Sequence, residues 1–208
     1  VEQAATLDAA WDGDHRTIVV AASTHPGEDE QILAAYAALK ETVAGALLVL
    51  VPRHPERFDA VYGLCRDGGW SVRRRSSGDG VDASVDVVLG DTMGELLLLL
   101  GVADIALIGG SLVEHGGHNV LEPAVWGVPV VTGPHMFNFA DISRMLVDAS
   151  AMVQLPDTAQ LSEVLVELAL DPQRRAHMGA AGKRVVRDNR GARDRLLALV
   201  ESTYPPAQ

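Results

Sequence analysis

This 208-residue sequence predicts a doubly wound α/β domain, a parallel sheet covered on both faces by helices. Three observations carry that reading. Its strand-length apolar runs, such as TIVVAAS (17–23) and ALLVLV (46–51), lack the in–out alternation of half-exposed strands. Helical stretches separate successive runs, so right-handed crossovers join parallel neighbours. The polar clusters fall just after strands, at the edge where Rossmann-like sheets bind ligands.

The elements follow in order. Residues 1–16 are polar and irregular, with a turn at Asp12, Gly13 and Asp14, and read as a lead-in; residues 17–208 read as one domain. After the first strand, Glu28, Asp29 and Glu30 place acids in the first turn of a helix reaching about Val43, where they complement its dipole. The second strand ends at Pro52, and Pro55 opens a helix that Gly68 and Gly69 stop. WSVRRR (70–75) and VDVVLG (85–90) are the third and fourth strands. LLLLLGV (96–102) is apolar on every side and reads as a short buried helix. IALIGG (105–110), PVVTG (129–133) and AMVQL (151–155) complete the strands, with one helix between the first two. Helices over 158–170 and 172–186 and a helical tail over 192–202 close the chain.

Composition narrows the function. The hydrophobic fraction of 48% supports a full core, and aromatics at 4% leave little surface for stacking bases. A net charge of −11 argues against nucleic acid, whose phosphates require a basic field. Cys65 is the single cysteine, which excludes an internal disulfide and favours a reducing, cytoplasmic setting. The leucine run is far shorter than the roughly 20 residues of a membrane span, and no signal peptide is expected at the start. The expectation is a soluble molecule.

Five loops converge on one sheet edge: STHPGE (23–28), PRHPER (52–57), DTMGE (91–95), GGSLVEHGGHNVLEPAVWG (109–127) and GPHMFNF (133–139). In the longest, Gly109-Gly110 and Gly116-Gly117 permit tight turns. Asn119 then reads as the cap of a helix, with Glu122 in the position of a capping box. Free amides at that start suit a phosphate or carboxylate, and Glu122 suits the hydroxyls of a ribose. His115, His118 and Glu122 resemble a metal set, but the intervening glycines oppose the helix that would align them; no metal is expected. Arg53, at a strand end, is a phosphate clamp or a solvated side chain. Asp91 reads as a cap, Ser23 and Thr24 as cleft or turn residues, and His25 and His54 as solvent-facing. His135 and Asn138 lie in a loop that is either a lid or packed. The basic residues over 174–195 read as the solvated face of helices.

Taken together, AASTHPGEDE, LVPRHPERF, DTMGEL and GGSLVEHGGHNVLEPAVWGVPVVTGPHMFNF resemble the carboxyl-terminal half of the 3-deoxy-D-manno-octulosonic acid (Kdo) transferases, glycosyltransferases of the GT-B fold. The resemblance runs from Thr17 to the end. It implies metal-independent transfer of Kdo from CMP-Kdo to a lipid A precursor, with no cofactor. It also implies a CMP site formed by Pro52, Arg53, Met93, Gly94, Glu95, Asn119, Val120, Leu121 and Glu122, with Ser23, Thr24, Gly110 and Ser111 lining the cleft. Val120 departs from the family's frequent proline, and its contact is implied through the backbone.

Members of that family are about twice as long. Their amino-terminal domain holds the acceptor site, the carboxylate thought to act as base, and a membrane anchor. No catalytic residue is therefore assigned within these 208 residues, and the domain is expected to bind nucleotide without being fully active. The resemblance implies a full-length protein at the cytoplasmic face of the inner membrane, touching the membrane through its other half. Two alternatives keep the fold: a UDP-sugar transferase or epimerase-like domain, and a non-catalytic nucleotide-binding module.

Overall fold

The computed structural model describes residues 2–203. Seven strands form one parallel sheet: β1 Ile18–Thr24, β2 Leu47–Pro52, β3 Val72–Arg74, β4 Val87–Leu89, β5 Ile105–Ile108, β6 Val130–Thr132 and β7 Met152–Gln154. Their order is β3-β4-β2-β1-β5-β6-β7. From β1 the chain forms β2, passes to the edge to form β3, and returns to set β4 between β2 and β3. It then crosses to β5 on the other side of β1 and builds outwards through β6 and β7. The doubly wound fold expected from the unalternating strands is the one observed.

Burial on both faces explains why those strands show no alternation. All seven residues of β1 and all six of β2 are buried. One apolar layer joins Val19, Ala21, Leu48 and Leu50 to the helices α2 (Asp29–Thr42), α3 (Phe58–Asp67) and α7 (Leu161–Leu170). The opposite layer joins Val20, Ala22, Leu47 and Val49 to α4 (Leu96–Leu100), α5 (Leu121–Trp126), α6 (Ala140–Asp148) and α8 (Pro172–Thr203). Each fully buried leucine in these layers contributes roughly 1.5–3 kcal/mol of transfer free energy.

Three elements differ from expectation. The opening residues are not irregular: Glu2–Ala10 form a helix, α1. Ala4, Leu7 and Trp11 recur at helical spacing and are buried against the layer that holds α4. Contact there is close, since a Cβ added at Gly101 would lie 2.9 Å from the Ala4 Cβ. The leucine helix α4 is less hidden than its composition suggests. Leu99 and Leu100 are buried, whereas Leu97 is 53% exposed, because only one side of α4 meets the sheet. The two closing helical segments are one 32-residue helix, α8. Gly191 does not end it, although glycine costs a helix interior about 1 kcal/mol relative to alanine.

Arg16 ties the base of the sheet together. Buried to 5% exposure, it donates to the carbonyls of Gly45 (2.7 Å), Asp82 (3.0 Å) and Val85 (2.6 Å). Its charge is thus met by carbonyls from the two segments that lead into β2 and β4.

Candidate functional site

The strand order reverses between β1 and β5, so their carboxyl ends diverge and open a crevice. The crevice has an irregular lip. The register of β1 with β2 shifts between Ala22 and Thr24, and Ser23 adopts φ of 60°, a left-handed conformation unusual for serine. Gly109, at the end of β5, lies against that bulge. A Cβ there would sit 2.4 Å from the Ser23 carbonyl oxygen, which is why the β5 loop begins with glycine.

Glu28 fixes the loop that follows. Its carboxylate is fully buried and accepts four backbone N–H bonds: from His25 (2.8 Å) and Gly110 (2.7 Å) at Oε2, and from Ser111 (3.0 Å) and Leu112 (2.9 Å) at Oε1. Successive amides converging on an anion form a nest, here occupied by the chain's own carboxylate. Ser111 is wholly buried; its hydroxyl donates to Ile108 O (2.5 Å) and accepts from the Gly133 N–H (2.8 Å). Gly110 and Ser111, expected to line the cleft, therefore spend their amides inside the protein. Thr24 is also internal. Its hydroxyl donates to Asp29 Oδ1 (2.6 Å), and Asp29 pairs in turn with Arg57.

A cavity of about 220 Å³ lies in the crevice, lined by Ala22, Ser23, Arg53, Leu96, Leu100, Ile108, His118, Asn119, Glu122 and Phe139. It brings together Ser23, Arg53, Asn119 and Glu122 of the expected residues. Arg53 is exposed and makes no ion pair among the described residues. Asn119 holds the start of α5 from one position further out than a cap. Its Oδ1 accepts the Leu121 N–H (3.0 Å), while its Nδ2 donates to Glu122 Oε1 (3.1 Å). Glu122 is thus aimed by Asn119 with one oxygen engaged. Val120 is buried throughout, backbone included, so the backbone contact expected of it is not open to the cavity in this structure. Leu121 and Pro52 flank the cavity without lining it.

Met93, Gly94 and Glu95 sit elsewhere. Gly94 and Glu95 line a second cavity of about 580 Å³ between α4 and α1, with Glu95 paired to Arg75 at 3.0 Å. Met93 is 68% exposed beside it. The residues that follow, Leu96 and Leu100, wall the Arg53 cavity instead. A wider groove of about 780 Å³ carries Asp12, Asp79 and Asp82 against Arg73 alone, a lining unsuited to an anion.

Reading each loop separately missed the histidine cluster. His25 is not solvent-facing; it is 4% exposed, and its Nε2 lies 2.7 Å from Nε2 of His118. The His115 ring lies 3.8 Å from that of His25, and His54 meets it edge-on at 5.6 Å. Burial, followed by the neighbouring histidines and Arg57, lowers His25 from 6.5 to about 4. Burial, then Arg53, His115 and His54, lower His118 to about 4. The hydrogen bond between them occupies both Nε2 atoms. Among the described residues, no group of three or more His, Cys, Asp or Glu side chains is arranged around a metal position. The loop of His135 and Asn138 is packed: His135 N–H donates to Ser111 O (3.1 Å) and Asn138 N–H to Gly116 O (3.1 Å).

A family model described as "Glycosyl transferases group 1" matches residues 30–185. The chain belongs to this family. The 3-deoxy-D-manno-octulosonic acid transferase of Haemophilus influenzae is 47% identical over 197 residues, which cover 94% of this chain and 46% of that protein. The Bordetella pertussis enzyme of the same name is 37% identical, over 92% of this chain and 46% of its own length. The chain thus spans about half the length of these relatives. The crystal structure of the C-terminal CMP-Kdo binding domain of WaaA from Acinetobacter baumannii superposes with a TM-score of 0.84 at 38% identity, covering 89% of this chain and 96% of that one. Sequence and fold together assign this glycosyltransferase chain to the carboxyl-terminal domains of the Kdo transferases.

Proposed function

We propose that this domain binds CMP-Kdo and presents it for transfer of Kdo to a lipid A precursor, as the donor half of a two-domain enzyme. The observation that carries the proposal is the cavity at the strand reversal, lined by both Glu122 and Arg53, the latter without an ion pair among the described residues. Arg53 meets the phosphate, and Glu122 accepts hydrogen bonds from sugar hydroxyls. A relative of similar fold is described as CMP-Kdo binding, which supports this choice of nucleotide.

In the reaction, the bond between the Kdo anomeric carbon and the phosphate oxygen breaks, and the electron pair leaves with CMP. The acceptor oxygen bonds to that carbon and loses its proton to a carboxylate base. We place the base, and the acceptor, in a domain outside these 208 residues. Arg53 offsets the charge that gathers on the leaving phosphate, so the proposed mechanism calls for no divalent cation or cofactor. Among the described residues no helix is long and apolar enough to cross a membrane. In this reading, contact with the cytoplasmic face of the inner membrane is made by the remainder of the enzyme.

Titration calorimetry with CMP, UMP and UDP tests the proposal. CMP is expected to bind in preference, and Arg53→Ala and Glu122→Ala to weaken it at least about tenfold, or 1.4 kcal/mol. Preferential binding of UDP would favour a UDP-sugar transferase, and unchanged affinity in both variants would displace the site. If CMP binds but the addition of an acceptor domain yields no Kdo transfer, the domain is a non-catalytic nucleotide module.

A further inference from the structure

The hydrogen bond between His25 Nε2 and His118 Nε2 has a chemical consequence. Two neutral imidazoles joined through their Nε2 atoms must differ in tautomer. One ring donates through Nε2–H and keeps a free lone pair on Nδ1; the other accepts at Nε2 and carries its proton on Nδ1. A further proton can enter at the donating ring's Nδ1 without breaking the bond between the rings.

The surroundings decide when that proton enters. Cationic or potentially cationic groups face the pair from two loops: Arg53, His54 and Arg57 after β2, and His115 within the glycine-rich loop. Two carboxylates lie near. Glu28 is committed to four backbone amides, among them that of His25, and Glu122 lines the cavity with one oxygen held by Asn119. Without a ligand, burial and mutual repulsion keep both rings neutral, with midpoints near 4. An anion in the cavity that Arg53 and His118 share reverses the balance, because the attraction acts in a partly desolvated site.

We propose that the His25–His118 pair forms a proton-linked wall of the donor pocket, with His118 contacting the anionic end of the nucleotide and the pair taking up one proton when that anion binds. His118 is then a ligand-contacting residue, and His25 positions it. This inference rests on the CMP-binding reading above. Uptake draws on bulk solvent, and the positive charge gained on the imidazole offsets one negative charge of the phosphate.

The test follows histidine side-chain ¹⁵N resonances of the 208-residue chain through a pH titration, alone and saturated with CMP. His25→Gln and His118→Gln assign the resonances and replace each ring with a carboxamide that still hydrogen-bonds but does not titrate. Expected is a pair that stays neutral over about pH 5.5–8 in the free chain. With CMP its midpoint should rise towards the ordinary imidazole value of about 6.5. CMP affinity should accordingly gain more between about pH 8 and about pH 6 in the parent than in either variant, by roughly fourfold. The phosphate's own titration is common to all three proteins and cancels in that comparison. Thermal melts establish that the variants fold. Histidine midpoints that ignore CMP, or equal affinity ratios in parent and variants, would overturn the proton linkage and leave the donor site standing. Failure of CMP to bind at any pH would remove both.

Discussion

Glu28→Gln isolates the contribution of one internal anion. The parent carboxylate offers two oxygens to four N–H groups at 2.7–3.0 Å in a fully buried position. Glutamine keeps the shape but turns one oxygen into an NH₂. Whichever way the amide flips, two backbone N–H groups then face a donor. Leaving a buried donor unsatisfied costs about 1–3 kcal/mol, so the pair costs about 2–6 kcal/mol, before the loss of charge assistance to the remaining two. For a chain of this size each kcal/mol lowers Tm by roughly 2–4 °C, and a fall on the order of 10 °C is expected. Differential scanning calorimetry at neutral pH measures it. A Tm within about 2 °C of the parent would mean that the nest does not need its carboxylate, and the account of loop anchoring would fail.

Two further predictions concern packing and protonation. Gly109→Ala should destabilise by at least about 1–3 kcal/mol, because its Cβ meets only backbone atoms of Ser23 and Thr24 within 2.7 Å. Gly63→Ala, inside α3 with open space around the new methyl, should instead stabilise by about 0.4–1 kcal/mol; urea denaturation giving both changes the same sign would contradict this. Burial, then Asp29, pushes the Cys65 thiol up from 9.0 to about 12, so the native protein at pH 8 should resist a chromogenic thiol reagent until it unfolds. Unfolding frees the thiol to ionise first, so its share of stability is full below 9.0 and is lost as the pH rises towards about 12. Rapid labelling of the folded chain, or a thiol contribution that grows over that interval, would refute it.

What could be read from the sequence was what neighbouring residues encode. The unalternating runs of β1 and β2 revealed burial on both faces, and loops that follow strands located the ligand edge. Arg53, Asn119 and Glu122 were found that way, and the cavity joins them. Glu28 escaped because an acid in a first turn already has a local purpose, while its amide partners at Gly110 to Leu112 lie more than 80 positions away. The histidines escaped for the same reason: His25 and His118 are 93 positions apart and meet only because β1 adjoins β5. Helix α1 was hidden by its alanines, which carry a helical pattern but little hydrophobic contrast.

The packing of residues 133–139 on the glycine-rich loop has a mechanical side. Gly116 and Gly117 have no side chains where Asn138 and Met136 press in, and a Cβ at either would come within 2.2 Å of them. Parts fitted so closely have no slack between them, so a displacement of either loop must be shared by both. Helix α6 starts directly after this strap and carries half-exposed Met145 and Val147 on its outer side. Movement of the loop around a ligand would therefore pull on α6, turning an event inside the crevice into a change on the outer face of the domain.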